Sequence, residues 1–157
     1  MCQHIDLELL RRYKFIETLK LWNERGRSGK INFYSYTIKN ELYIFFQKTN
    51  GKYDWIQNFR FGAIPYKDME YKFRVHKGFL GEWKILRDEI TTLVKPEINK
   101  IYIFGWSLGG ALASLCHEDL KFKFPEKNIK TVTIGSPRTF IRTKHWDKIK
   151  YRFEGIT

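Results

Sequence analysis

Cysteine is scarce in this 157-residue chain: Cys2 and Cys116 are the whole supply. Two thiols so far apart build neither a disulfide scaffold nor a cysteine zinc site, and no metal or other cofactor is expected. Long hydrophobic runs are missing as well. No apolar stretch approaches the roughly 20 residues needed to cross a bilayer, which argues against an integral membrane protein. The N-terminus, Met1-Cys2-Gln3-His4-Ile5-Asp6, lacks a basic segment followed by an apolar one, so an intracellular, cytoplasmic location is the expectation, with peripheral attachment to membranes open. There is no internal repeat, low-complexity tract or linker, and no G-x-x-x-x-G-K-[ST] phosphate loop.

What is present suffices for one packed core. Hydrophobic residues make up 43% and aromatic residues 17% of the chain. That composition excludes intrinsic disorder, and the length fits a single domain over residues 1–157. The formal net charge is +12, and residues 119–157 carry ten Lys or Arg against four Asp or Glu. A basic surface of this kind attracts anionic lipid, nucleic acid or an acidic partner, but no single run is dense enough to be a basic arm, and a solvated lysine-rich surface is the simpler reading. No nucleic-acid-binding motif accompanies the charge, so a nucleic-acid partner is not expected.

Leu9, Tyr13, Ile16 and Leu19 recur at helical spacing and predict a helix over residues 6–22. The polar stretch 23–29 reads as a loop. Residues 31–38 alternate in strand fashion, Lys39-Asn40 suits a tight turn, and Leu42-Tyr43-Ile44-Phe45-Phe46 is an apolar run, together predicting an antiparallel hairpin. Residues 49–58 read as a loop with a short helix. Phe79, Trp83, Leu86, Ile90 and Leu93 follow one another at spacings of four, three, four and three, a core-facing stripe that ends before Pro96. Buried parallel strands are expected at 100–104 and 130–134, a helix at 107–121, and the start of another strand at 151–153. Strands alternating with helices after a hairpin indicate an α/β fold with a mostly parallel sheet and helices on both faces.

The motif that carries chemistry is Gly105-Trp106-Ser107-Leu108-Gly109-Gly110. It matches G-x-S-x-G and falls between a predicted strand and a predicted helix, where a sharp turn would project the Ser107 hydroxyl from the sheet edge. Glycine on both sides of the serine keeps side chains out of a crowded turn. A helix N-terminus beside the serine favours developing negative charge.

These residues, with four further segments in matching order, resemble the fungal-type (class 3) triacylglycerol lipases of the α/β-hydrolase superfamily. Val75-His76-Lys77-Gly78-Phe79 is similar to the family's V-H-x-G-F. Val132-Thr133-Ile134-Gly135-Ser136-Pro137-Arg138 resembles its G-x-P-R strand end. Phe46-Gln47-Lys48-Thr49 falls where the family has F-R-G-[ST], and Asp54-Trp55-Ile56 where it has a D-W or N-W pair. The resemblance covers about residues 31–157. It implies Ser107 as nucleophile, the backbone N–H groups of Leu108 and Thr49 as oxyanion donors, Gly105 and Gly109 as elbow glycines, and Trp55 on a lid; core packing is the other reading of Trp55. His76 matches the motif histidine outside the triad and is read as structural.

Departures accompany the match. Trp106 stands where the family most often has His, and Gln47-Lys48 replace its Arg-Gly. In the family an acid and then a histidine follow the serine. His117 falls on the expected nucleophile helix facing away from the serine, His145 precedes the last strand, and no acid after Ser107 sits at the family's position. Residues 151–157 resemble the strand leading into that acid, so the chain is expected to be incomplete at its C-terminal side, before the acid and His. The resemblance implies a serine ester hydrolase acting on acylglycerol or other lipid esters. The alternative is a catalytically incomplete remnant, or a lipid- and membrane-binding module, using basic and aromatic residues on an anionic surface.

Overall fold

A computed structural model describes residues 11, 23–28, 31–48, 63–65, 74–106, 108–134, 140–141, 147 and 150–156. Within these, eight strands and two long helices appear in the order β1 (Asn23–Ser28), β2 (Ile31–Ile38), β3 (Glu41–Lys48), β4 (Ala63–Pro65), β5 (Arg74–His76), α1 (Lys77–Leu93), β6 (Lys100–Trp106), α2 (Leu108–Lys123), β7 (Asn128–Ile134) and β8 (Phe140–Ile141). A 3-10 turn, Lys150–Phe153, follows. The helix expected over residues 6–22 lies outside the described residues apart from Arg11, which is helical; the expected loop and short helix at 49–58 lie outside them entirely.

The main sheet has the order β1-β2-β3-β6-β7. β1, β2 and β3 run antiparallel, whereas β6 is parallel to both β3 and β7. The sheet is therefore mixed, with an antiparallel meander joined to a parallel half. The β2–β3 turn places Lys39 at φ 53°, which the left-handed region permits at a tight hairpin corner. Stretch 23–29 departs from the loop reading: residues 23–28 form the outer strand β1, with a bulge between Glu24 and Gly26. A polar, charged sequence is compatible with a strand at a sheet edge, where one side needs no buried partner and charge discourages further pairing.

Strand alternation sorts the sheet's side chains to two faces. Phe33, Leu42, Ile44, Phe46, Ile101, Ile103 and Ile129 share one core with both helices. α1 contributes Phe79, Trp83, Leu86 and Ile90, as its spacing predicts. α2 is buried on all sides from Gly109 to Leu120, with small residues Ala111 and Ala113 letting it sit close to the strands. On the opposite face Tyr43 stacks on Tyr102 and Phe45 on Phe104, with centroids 5.0 and 5.1 Å apart. That face is buried too, with Val132 completing the cluster.

At the edge where the parallel strands begin, backbone bonds tie the connections together: Asn99 N–H donates to Asn40 and Asn128 N–H to Asn99, both at 2.9 Å. The Lys127 ammonium donates to the carbonyls of Lys95, Pro96 and Ile98, closing the connection after α1. A small second sheet, β4-β5-β8, was not visible in the sequence pattern, since its strands have only two or three residues. Residues 151–153 also differ from the strand reading. They lie in the 3-10 turn, and pairing begins only at Ile156, which bridges to Thr131 of β7 in parallel.

Candidate active site

The parallel register aligns the strand ends that could build a site. Phe46 of β3 pairs with Gly105 of β6, and Gly105 pairs with Thr133 of β7, so the three stand in one row. β6 ends at Trp106 and α2 begins at Leu108. The chain thus passes from strand to helix across one residue position, and α2 returns directly over the strands it has just left.

This tight return requires glycine. A Cβ on Gly105 would strike the carbonyl of Gly109 and come within 2.6 Å of the Gly110 Cα. A Cβ on Gly109 would strike the carbonyl of Phe46 and lie 2.9 Å from its carbon and 3.2 Å from its Cβ. Mostly these are backbone atoms, which no rotamer change can remove. Ser114 Oγ donates to Gly110 O at 3.0 Å, folding its small side chain back on the helix.

The N-terminus of α2 has polarity suited to an anion. Its first N–H groups lack intrahelical partners, and no acidic side chain occupies its first turn, while Lys121 and Lys123 lie in its last. Leu108, a sequence-predicted oxyanion donor, is the first residue of this helix, and Gly109 is buried in its first turn. Ser107, Thr49 and Trp55 lie outside the described residues, as does His145. His76 is the last residue of β5 and pairs with Ala63. Among the described residues, no group of His, Cys, Asp and Glu could hold a metal ion.

The other end of α2 carries a buried polar cluster that sequence reasoning did not assemble. Glu154 offers only a carbonyl to His117 Nε2, 2.8 Å away, so Nε2 carries the proton. The neutral ring then accepts at Nδ1 from the Thr131 hydroxyl, also at 2.8 Å. Burial holds the His117 pKa down at about 4; the Glu154 carbonyl opposes this and Lys121 adds to it. Both nitrogens are engaged at the far end of the helix, so His117 is not available as a base to the helix N-terminus.

Next to it, Glu118 receives a hydrogen bond from Arg152 at 3.4 Å, both side chains being buried. Glu118 Oε2 is buried with no hydrogen-bond partner among the described residues. Burial first, then the Asp119 charge, raise the Glu118 pKa to about 8, against the opposing pull of Arg152 and Lys123. Arg152 also lies 4.1 Å from the Phe122 ring centroid. Asp119 pairs with Lys123 at 3.0 Å. Asp147 is exposed. The available signal was His117-Glu118-Asp119, three polar residues running through a helix that is otherwise apolar at its centre.

A mixed sheet whose central parallel strand turns through glycines into a buried helix defines an α/β-hydrolase-type protein. The family model for lipase (class 3) matches residues 43–149, more than half of the chain. The chain belongs to the class 3 lipase family. It is 30% identical over 105 residues to a lipase of Rhizomucor miehei, a match covering 62% of this chain and 29% of that protein. A lipase of Rhizopus niveus is likewise 30% identical over 105 residues, which is 26% of its length. In structure, the R. miehei triacylglyceride lipase superposes with a TM-score of 0.69 at 22% identity, over 89% of this chain and 57% of that one. Lipase II from Rhizopus niveus gives 0.68 at 22%, over 87% and 56%. At such identities the superpositions establish the fold, and the chain spans little more than half of those structures.

Proposed function

We propose that this chain carries the nucleophile of a class 3 lipase-type serine ester hydrolase. In this reading the Ser107 Oγ attacks an ester carbonyl and the carbonyl oxygen takes up negative charge. The backbone N–H groups of Leu108 and Thr49 hold that oxyanion. Collapse expels the alcohol and leaves an acyl group on Ser107, which water then removes.

The observation that carries this reading is the double steric demand for glycine at 105 and 109, on either side of Ser107, at a strand-to-helix junction. Family membership supports an ester substrate, and the fungal relatives named above are lipases. The base that takes the Ser107 proton is not assigned to a described residue, since His117 is committed elsewhere. A lipid ester substrate, an intracellular location and attraction to anionic membranes through the basic residues of 119–157 belong to the same proposal.

A fluorophosphonate probe tests it, because the reagent phosphonylates an activated serine with loss of fluoride, and the adduct mimics the tetrahedral oxyanion. The expected result is labelling of the wild type and none of Ser107→Ala. No labelling of the wild type, or equal labelling of the variant, overturns the assignment. Co-sedimentation with phosphatidylserine vesicles but not phosphatidylcholine vesicles is expected if the basic region engages membranes; equal binding to both removes that part.

A further inference from the structure

Lys127 brings a positive charge into the fold with no acid to meet it. The residue is 9% exposed, and among the described residues its ammonium bonds to three backbone carbonyls and to no carboxylate. It donates to Lys95 O at 3.5 Å, Pro96 O at 3.4 Å and Ile98 O at 2.5 Å. The Phe124 ring flanks it, with its centroid 5.9 Å away. An ammonium has three donors and no acceptor, so three carbonyls match it one to one. The surroundings favour a cation for a second reason. These carbonyls follow the C-terminus of α1, whose own last turn holds no basic residue. The cation comes instead from the connection between α2 and β7.

We propose that the carbonyls of Lys95, Pro96 and Ile98 form a binding site for a primary alkylammonium ion, filled in this chain by the tethered ammonium of Lys127 and open to a free ion when that side chain is cut back. The cage is built by backbone and does not depend on the lysine. Lys95 N–H donates to Leu93 O and Ile98 N–H to Lys95 O, both at 3.0 Å, and the Pro96 ring fixes its own φ. Asn99 N–H donates to Asn40 O, which ties this loop to the β2–β3 turn. Across the site, Lys127 N–H donates to Phe124 O at 3.1 Å and Asn128 N–H to Asn99 O at 2.9 Å. None of these bonds uses the Lys127 side chain, so shortening it leaves the acceptors in place.

The donor set selects the class of ion. A cage without a carboxylate cannot balance a second positive charge, and calcium takes about six to eight oxygens, more than the three carbonyls supply. A quaternary ammonium has no N–H to donate. A primary ammonium brings one charge and three donors. Lys127→Ala removes Cγ, Cδ, Cε and Nζ, the heavy atoms of n-propylammonium, and the space they leave is inside the fold because the residue is buried.

Urea denaturation of the full 157-residue chain tests the site. Lys127→Ala is expected to lower the folding constant about 10- to 100-fold, the scale of hydrogen bonds to a charged group. A fragment as small as n-propylammonium binds with a dissociation constant on the order of 50 mM, so about 0.5 M of it, at ionic strength held with sodium chloride, returns about tenfold. Tetramethylammonium, which lacks N–H, and 1-propanol, which lacks charge, should return nothing. Lys127→Met keeps the stem and loses the ammonium; it should be less stable than the wild type, and n-propylammonium should move neither of them. If Lys127→Ala is unfolded outright, n-propylammonium should restore its far-ultraviolet circular dichroism. The proposal is overturned by no recovery with n-propylammonium, by equal recovery with either control, by the same response in the wild type, or by Lys127→Met as stable as the wild type. Lys127 stands just before β7, at the end of the parallel strands opposite Gly105, and labelling of Ser107 is a separate readout.

Discussion

Gly109 and Gly81 are both helical glycines, and the same substitution should move stability in opposite directions. Gly81 lies in α1 with nothing within 4 Å of the position its Cβ would take. Alanine there gains the helix-propensity difference, about 1 kcal/mol, with no packing cost. Gly109 lies in the first turn of α2, where the added carbon meets the Phe46 carbonyl group, including its carbon at 2.9 Å. Ordinary contacts begin near 3.4 Å, and the carbonyl oxygen is closer still than its carbon, so α2 or β3 must shift by about an ångström. Overpacking of this kind costs about 1–3 kcal/mol, which exceeds what propensity returns at a helix's first turn.

Urea denaturation of both variants against the wild type is the assay. The two alanine variants are expected to differ by about 2–3 kcal/mol, with Gly81→Ala above the wild type and Gly109→Ala below it. For a chain of this size the gap corresponds to about 5–10 °C in Tm. A functional arm accompanies it. In the proposed mechanism the Leu108 N–H is an oxyanion donor; displacing the first turn of α2 would move it relative to β3, and complete loss of such a donor costs about 10²–10³ in rate. Fluorophosphonate labelling by Gly109→Ala should therefore slow by a factor that stays within that bound, whereas Gly81→Ala labels at the wild-type rate. If Gly109→Ala proves as stable as Gly81→Ala, the close approach of α2 to β3 is refuted, and with it the reason for glycine at the elbow.

Arg152→Ala removes one partner of a buried pair and should destabilise by about 3–5 kcal/mol at pH 9, but by less at pH 6, where Glu118 can take up a proton instead of holding an unpaired charge; an equal loss at both values would contradict the pairing with Glu118. Trp83→Ala empties the centre of the core where α1 meets the sheet, and a loss of about 3–5 kcal/mol in urea denaturation is expected; less than 1 kcal/mol would show that the side chain is not packed there. His117 and Glu118 also shape global stability with opposite signs. His117 has a folded pKa near 4, below its unfolded 6.5, so its contribution is present above pH 6.5 and is lost as pH falls toward 4. Glu118 has a folded pKa near 8, above its unfolded 4.5, so its contribution is present below pH 4.5 and is lost as pH rises toward 8. In Glu118→Gln, stability should therefore decline from pH 7 to pH 4 more steeply than in the wild type, which denaturation at several pH values reads directly.

The elements legible in the sequence are those whose pattern one core imposes. The four-three-four-three stripe of α1, the β2–β3 hairpin and the two buried strands β6 and β7 each repeat an apolar period that only one geometry satisfies. β1 was illegible for the converse reason. A sheet edge asks little of its side chains, so Asn23 to Ser28 carry no alternation and read as a loop. β4 and β8 are shorter than any period. Tyr151–Phe153 read as the start of a strand, but Arg152 is drawn in toward Glu118, and a 3-10 turn brings it there. The glycines of the elbow were legible because their chemistry is local. The cluster of His117, Glu118, Thr131 and Arg152 was not, because its partners lie up to 37 residues apart in sequence and meet only when β7 and the turn fold against α2.

The two ends of α2 are consequently held by different physics. At the N-terminal end, backbone meets backbone at Gly105, Gly109 and Phe46, an arrangement without side-chain freedom and without titration. At the C-terminal end, the helix is held by a histidine, a carboxylate and a guanidinium, each sensitive to protons or to the loss of its partner. A helix that must present a fixed N-terminus to a reacting group gains from the first arrangement, since preorganisation there costs nothing at the moment of reaction. The second arrangement places its titrating groups, His117 and Glu118, about 9 residues, or roughly 14 Å, away along the helix axis. Titration of His117 and Glu118 should thus change the stability of the fold without displacing the glycine contacts at the elbow, and a fluorophosphonate rate that tracked that stability change point for point would show that the two ends of the helix move together.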